Sequence, residues 1–284
     1  MSEMNAPRLH VACVQMTTVN DMDTNIAAVD ALIREAAGRG AQLIATPENS
    51  FYMRAADCDS VPLYPMESHP ALHHIKALAK ELNVWILIGS LFIPTHTGAE
   101  KWYNRSVLVN PQGEHVAHYD KIHLFDASFG ENKYYRESAR ITAGDQVVLA
   151  QTPWGKMGMT ICYDVRFPHL YRDLAKHGVE ILAIPAAFAR VTGEAHWHIL
   201  LRARAIENGA YVIAPAQCGI HPGEKQTFGH SLIINPWGEI IAEAGDAPCV
   251  IDATLDMTMV TKIRTQLPTL LHDKAYLPPP DYMI

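Results

Sequence analysis

Cysteine is scarce in this sequence and falls in no pairing pattern. Five cysteines, Cys13, Cys58, Cys162, Cys218 and Cys249, are scattered through 284 residues; the number is odd and no CxxC occurs. A disulfide framework is therefore not expected, and a reducing, cytoplasmic location is. Long apolar runs are missing too: none reaches the roughly 18 residues of a membrane span. The opening MSEMNAPRLHVACVQM lacks the charged and long apolar regions of a secretory signal. There is no basic run and no basic–aromatic alternation, and the net charge of −7 is spread along the chain, so nucleic acid is not an expected partner. Histidine, by contrast, is abundant at fifteen. Yet His73–His74 and His196-x-His198 lack the HExxH spacing and no cysteine pair joins them, so no metal is expected; His73 and His74 fit a solvated helix face.

Apolar residues make up 49% of the chain and charged residues 19%, which suffices for a sizeable core. Strand and helix patterns alternate. LHVACVQM reads as a buried strand, NIAAVDALIREAAGRG as an amphipathic helix closed by Gly40, and AQLIATPE as a second strand. HPALHHIKALAKELN, with Pro70 near its start, is helical, and VWILIGSLFI is a strand. YNRSVLVN and HVAHYDKI form a hairpin about PQGE, followed by a polar, irregular loop over 124–146. A second round repeats this layout: KMGMTICYD, FPHLYRDLAKHG, VEILAIPAAF, AHWHILLRARAIENG and YVIAPAQCG, then a hairpin about NPWG. VIDATLDMTMVTKIRTQLP adds a strand and a helix. Three prolines keep YLPPPDYMI from being helical, so a tail over about 272–284 is expected to lie extended. The turns NPQGE (110–114) and NPWGE (235–239) mark the two halves as a pseudo-repeat. Such halves call for mixed sheets, each with helices on one face, packed as a four-layer helix–sheet–sheet–helix (αββα) sandwich. No linker divides the chain, so residues 1–284 are expected to form a single domain.

Three reactive residues stand where strand patterns give way to turn residues: Glu48 in LIATPEN, Lys121 in YDKIHLF and Cys162 in GMTICYDVRFP. Strand ends are where α/β sheets build their sites. A thiol, a carboxylate and a fixed cation are the parts needed to attack an amide carbon. Singly, each has a plainer reading: a buried cysteine, a loop carboxylate and a solvated edge lysine. Their recurrence at corresponding positions points to an enzyme.

The same segments closely resemble the nitrilase superfamily of carbon–nitrogen hydrolases, in order and spacing, from LHVACVQM to the last hairpin. The resemblance implies an αββα fold with Cys162 as nucleophile, Glu48 as general base and Lys121 as stabiliser of the tetrahedral intermediate. Glu137, in YYRESARITAGD, matches the second glutamate that many members carry. The backbone N–H of Tyr163 would share the oxyanion with Lys121. A thioester acyl-enzyme would form as ammonia departs, and water would then hydrolyse it, with no cofactor. Pairing of protomers in the family implies a homo-oligomer, most simply a dimer, for which Trp197 and HWHILLRARAIE are candidate contact elements.

CYDVRFP resembles the amidase branch of the family rather than the CWEN of nitrilases or the CWDQWFPE of carbamoylputrescine hydrolases. The expected substrate is a small amide bearing a carboxylate, for which Arg166 and Arg190 are candidate clamps. Arg166 could instead be tied up in a buried pair with Asp164. Phe188 and Thr192, in what reads as an AFARVTG loop, are candidate pocket residues. Two other classes fit a reactive cysteine in this fold: a thiol redox protein, although no neighbouring cysteine would resolve a sulfenate, and a non-catalytic scaffold.

Overall fold

A computed structural model describes residues 7–55, 61–128 and 134–277. Its first sheet takes β1 (Arg8–Gln15), β2 (Leu43–Ala45), β3 (Trp85–Pro94), β4 (Trp102–Val109) and β5 (His115–Asp120). A short hairpin of β6 (Asp126–Ser128) and β7 (Tyr134–Arg136) follows. The second sheet takes β8 (Val148–Thr152), β9 (Gly155–Met159), β10 (Val179–Ala183) and β11 (Tyr211–Ala214). Beyond a second small hairpin, β12 (Cys218–His221) and β13 (Lys225–Phe228), it continues with β14 (Leu232–Ile234) and β15 (Ile240–Glu243). β16 (Cys249–Asp256) returns to the first sheet. The helices are α1 (Met22–Gly38), α2 (Pro70–Leu82), α3 (Pro168–Lys176), α4 (Arg190–Asn208) and α5 (Thr258–Gln266).

The two six-stranded sheets run β16-β1-β2-β3-β4-β5 and β15-β14-β11-β10-β9-β8. In each, three central strands are parallel and the outer ones antiparallel. Read from β16 and from β8, the two orders correspond strand for strand, as the repeated NP-x-G turns anticipate. The turns match in detail. Asn110 Oδ1 accepts from the backbone of Gln112 and Glu114, and Asn235 Oδ1 from that of Trp237 and Glu239. Gly113 and Gly238 supply the positive φ that each turn needs, at 76° and 86°.

Alternation along the strands creates the layers. Leu9, Val11 and Cys13 of β1 join Met157, Ile181 and Ile213 in the core that the two sheets share. Ala12 and Val14 point the other way, into a core closed by Val29 and Ile33 of α1 and Leu72, Ile75 and Leu78 of α2. Leu170 and Leu174 of α3 and Trp197 and Leu201 of α4 cover the second sheet. The result is the four-layer αββα sandwich. Each buried leucine, isoleucine or valine contributes about 1.5–3 kcal/mol relative to exposure, and Ile75→Ala would cost about 2–5 kcal/mol.

Local signals set the helix ends. Asp21 caps α1 by accepting from the Thr24 backbone at 2.8 Å. Pro70 opens α2 and left-handed Asn83 closes it. α4 departs from the sequence reading: it begins at Arg190, so Arg190 and Thr192 lie in its first turn rather than in a loop. Gly193 disguises that turn. A Cβ there would come 2.3 Å from Cβ of Phe228, so close packing, rather than helix propensity, dictates the residue. The 124–146 segment also carries more order than expected, in β6, β7 and a 3₁₀ turn over Glu137–Ala139. The hairpin β12–β13, turned at Pro222–Glu224, lies where the sequence showed only the end of a strand. Trp197 is fully buried beneath Phe188, with ring centroids 4.9 Å apart, so it is a core residue and not a contact surface. Residues 272–277 form no helix or strand, and Asp273 pairs with Arg172 and Lys176 of α3; the tail beyond lies outside the described residues. No helix among the described residues is long and apolar enough to cross a membrane.

Candidate active site

Four strand ends converge on one point. Past β2, Thr46 and Pro47 carry the chain to Glu48. This loop rests on β3 at Gly89, where a Cβ would meet the Thr46 and Pro47 carbonyl oxygens at 2.2 Å. The β3–β4 register shifts at that point, and Ser90 Oγ accepts from the Asn49 backbone at 2.8 Å. Lys121 directly follows β5, its N–H bonded to the Asn104 carbonyl of β4 at 3.0 Å. The neighbouring Arg105–Asp120 pair, with two contacts of 2.7 Å, locks that register. Glu137 opens the turn after β7.

Cys162 lies two residues beyond Ile161's neighbour Thr160, at the head of a 3₁₀ turn over Cys162–Arg166, and its φ is +50°. Such a conformation is costly for a side chain with a Cβ and clusters at functional sites. Two anchors hold it. The Cys162 N–H donates to the Pro185 carbonyl at 2.9 Å. Asp164, fully buried, accepts from Tyr119 Oη (2.8 Å), the Ile161 N–H (2.8 Å) and both the N–H and Nδ1 of His123 (3.0 and 2.8 Å). The cysteine turn and the lysine segment are thereby fastened to one carboxylate.

Lys121, 2% exposed, is the hub. Its Nζ lies 2.8 Å from Glu48 Oε1 and 3.0 and 2.9 Å from the two oxygens of Glu137. Asn104 Nδ2 donates to Glu48 Oε1 at 2.8 Å and to Glu137 Oε1 at 3.3 Å. The Ala187 N–H donates to Glu48 Oε2 at 2.8 Å, and the Phe125 N–H to Glu137 Oε2 at 2.6 Å. The Cys162 thiol neighbours Glu48 and Lys121 closely enough that each shifts its ionisation. Burial pushes the Glu48 carboxyl up, but the Lys121 charge, the bonds from Lys121 and Ala187 and the neighbouring thiol together hold it below the usual range. Burial disfavours the Lys121 ammonium, yet Glu137 and Glu48 outweigh it and hold its pKa well above normal. Burial and the Glu48 charge push the Cys162 thiol well up, against the opposing pull of Lys121. The resting cluster thus sets the Glu48 carboxylate against the Lys121 ammonium, beside a neutral thiol. The ammonium fills the position between the carboxylates that a metal ion would need.

The four residues singled out by motif are therefore joined, and Tyr163 adjoins them. Arg166 does not pair with Asp164. Its guanidinium lies over the Phe188 and Tyr163 rings, 5.1 and 5.8 Å from their centroids, and against His196 Nδ1 at 3.2 Å. Arg190 pairs with Glu194 along the exposed side of α4, and the Thr192 hydroxyl donates to the Ala189 carbonyl. These contacts tie neither residue to the cluster. Sequence reasoning missed Asn104 and the Ala187 N–H. The polar side chain of Asn104, 1% exposed within a strand that is otherwise largely apolar, was a usable signal; a backbone donor leaves none.

The profile of the carbon–nitrogen hydrolase family matches residues 10–265. This chain belongs to that family. A deaminated glutathione amidase from Synechocystis sp. is 39% identical over 263 residues, spanning 92% of this chain and 96% of that protein. The crystal structure of the Caenorhabditis elegans NitFhit protein superposes with a TM-score of 0.86 at 32% identity; the match covers 95% of this carbon–nitrogen hydrolase and 66% of the longer NitFhit chain. A variant amidase from Nesterenkonia sp. AN1, carrying the acetamide moiety of fluoroacetamide on its active-site cysteine, is 26% identical over 93% of this chain and 97% of its own, with a TM-score of 0.75.

Proposed function

We propose that this carbon–nitrogen hydrolase is a cysteine-dependent amidase acting on deaminated glutathione, an amide whose acyl part is a 2-oxo dicarboxylate. The observation that carries the reading is the buried Lys121 ammonium clasped between Glu48 and Glu137, with the Cys162 thiol beside them. The 39% identity to the Synechocystis deaminated glutathione amidase, over nearly the whole chain, supports the substrate.

In this reading Glu48 takes the thiol proton as Cys162 sulfur attacks the amide carbon. A thiol whose pKa is raised needs a base in contact, and Glu48 is that base. Lys121 and the Tyr163 N–H receive the oxyanion; Tyr163 stands at the start of a 3₁₀ turn, where N–H groups lack partners within the turn. Losing one such donor costs about 2.7–4 kcal/mol of barrier. Glu48 passes its proton to the amide nitrogen and the C–N bond breaks. From deaminated glutathione the departing group is the amine of cysteinylglycine; from a primary amide it is ammonia. Water then attacks the thioester, Glu48 takes its proton, the C–S bond breaks and the thiolate recovers that proton. Glu137 and Asn104 hold the ammonium and the base in register. Arg166, on the Phe188 and Tyr163 rings beside Cys162, is the better placed arginine for the substrate carboxylate. Phe188 forms the apolar wall, with Thr192 and Arg190 behind it.

The same reading takes residues 1–284 as one domain and the molecule as a cytoplasmic homodimer. Val191 and Ile199, 62% and 70% exposed on α4, support pairing through that helix. The test is kcat/KM for deaminated glutathione, 2-oxoglutaramate, glutamine, an aliphatic amide and a nitrile, scoring 2-oxoglutarate for the first two. Deaminated glutathione should be preferred. A win for 2-oxoglutaramate would make the chain an omega-amidase, and a preference for the nitrile or aliphatic amide would overturn the carboxylate-bearing substrate.

A further inference from the structure

Away from the Glu48–Lys121–Cys162 cluster, three elements bring metal-ligating groups together. His198 stands on α4, His230 between β13 and β14, and Glu243 at the end of β15. One candidate ligand atom from each lies within 4.8 Å of the other two. Glu243 Oε1 is 2.9 Å from His198 Nε2 and 3.0 Å from His230 Nδ1. A single carboxylate oxygen thus faces two imidazole nitrogens, and both contacts are hydrogen bonds only if each nitrogen carries a proton. One cation bound by all three atoms replaces both protons.

The surroundings hold the rings for that role. His230 has φ of +52°, a conformation that a side chain adopts at a cost. Its N–H donates to the Gly245 carbonyl at 3.2 Å, and its carbonyl accepts from Trp197 Nε1 at 2.8 Å. Its ring stacks on Phe228 with centroids 4.4 Å apart, and the His198 ring meets Phe228 edge-on at 5.9 Å. On the far side of His230, Nε2 faces Asp246 Oδ1 at 3.6 Å. A carboxylate behind a ligating histidine fixes its tautomer and raises its basicity. Among the described residues, the ion-pair partners of Glu243 and Asp246 are these histidines.

We propose that His198, His230 and Glu243 form a binding site for one divalent transition-metal ion of the zinc class, with Asp246 orienting His230. Two imidazoles and one carboxylate are a donor set that suits such ions, and the partial exposure of Glu243 leaves a fourth position to water. Bonds of about 2.0–2.2 Å in tetrahedral geometry separate ligand atoms by roughly 3.4 Å; the two oxygen–nitrogen distances, 2.9 and 3.0 Å, need widen only slightly to reach it, and the two nitrogens, within 4.8 Å of each other, settle to the same spacing. The ion clasps α4 to the β14–β15 hairpin. That clasp lies behind the pocket wall, because Trp197 packs on Phe188 and the Phe228 N–H donates to the Phe188 carbonyl. The sequence hid the set: His198 and Glu243 are 45 positions apart.

The test is zinc titration of chelator-stripped protein by calorimetry, with cobalt(II) absorption reporting coordination geometry. Wild type should bind one equivalent per chain, give the intense visible bands of four-coordinate cobalt and gain thermal stability. His198→Gln and Glu243→Gln should stay folded and lose that equivalent; Asp246→Asn should weaken it by about 10–100-fold. Cys162→Ala should bind as wild type does. The proposal is overturned if wild type takes up less than one equivalent, if the His198 and Glu243 variants bind normally, or if binding disappears with Cys162→Ala instead.

Discussion

Replacing Lys121 by methionine isolates the electrostatics of the cluster. The change keeps most of the side-chain volume and removes the ammonium that lies within 3.0 Å of three carboxylate oxygens. Removing one partner of a buried ion pair costs about 3–5 kcal/mol, because the remaining charges stay buried without compensation. Here two carboxylates remain, so the upper part of that range is expected at pH 7.5. The pH dependence gives a sharper signature. In the wild type Glu48 titrates below the ordinary carboxylate range, so its contribution is present above that range and is lost only in acid, as pH falls through the lowered pKa. In the variant burial acts without Lys121 and the Glu48 pKa rises above the unfolded value. The folded variant then binds more protons than the unfolded chain, and its stability improves as pH falls from neutrality towards the unfolded pKa. Urea unfolding of both proteins at pH 7.5 and 5.5 reads this out. The deficit should be several kcal/mol at the higher pH and clearly smaller at the lower, and adding Glu137→Gln should recover part of it. A deficit below about 1 kcal/mol, the scale of an exposed pair, or one equal at both pH values, would refute the reasoning.

Arg166→Ala should raise KM for deaminated glutathione about tenfold or more, the scale of a charge-assisted hydrogen bond, while changing KM for an aliphatic amide little; Arg190→Ala should do much less, since Glu194 already engages that side chain. Equal effects on both substrates would remove Arg166 from carboxylate recognition. Burial lowers the pKa of His69 from 6.5 to about 4. Below pH 6.5 the unfolded chain therefore binds a proton that the folded chain refuses, and stability falls with pH down to about 4 by up to roughly 3 kcal/mol. His69→Phe should flatten that part of the stability profile, and an unchanged slope between pH 6.5 and 4.5 would count against it. Asn104→Leu should lower kcat about tenfold or more, the cost of leaving Glu48 and Glu137 without that donor; normal turnover would make the residue a bystander.

The layers were legible because largely apolar strands such as LHVACVQM must be covered on both faces, and the amphipathic periodicity of α1 and α2 leaves one face to cover them. The duplicated NP-x-G turns carried the pseudo-repeat because an asparagine that accepts from the turn backbone and a positive-φ glycine mark both copies. The start of α4 was not legible, since Gly193 is there to admit the Phe228 ring rather than to end a helix. The hairpin β12–β13 was hidden because its strands are four residues long and form a two-stranded sheet of their own, outside the periodic patterns. At the site, Glu48, Lys121 and Cys162 stood out by residue type at strand ends, and Glu137 through the family resemblance. Asn104 read as one more strand residue, and the Ala187 N–H belongs to the backbone and has no sequence signature. Arg166 and Asp164 looked like a pair by proximity in sequence, but Asp164 is spent on Tyr119, His123 and Ile161.

Amide hydrolysis by this chain turns on the covalent step at Cys162. Intact-mass measurement of acid-quenched protein during turnover of deaminated glutathione tests it. Wild type should show a fraction of chains heavier by one 2-oxoglutaryl group, located by peptide mapping to Cys162. Cys162→Ala should show none, and should form no 2-oxoglutarate while keeping wild-type stability. Full turnover by Cys162→Ala, or an acyl group mapped to another residue, would contradict a thioester mechanism centred on Cys162.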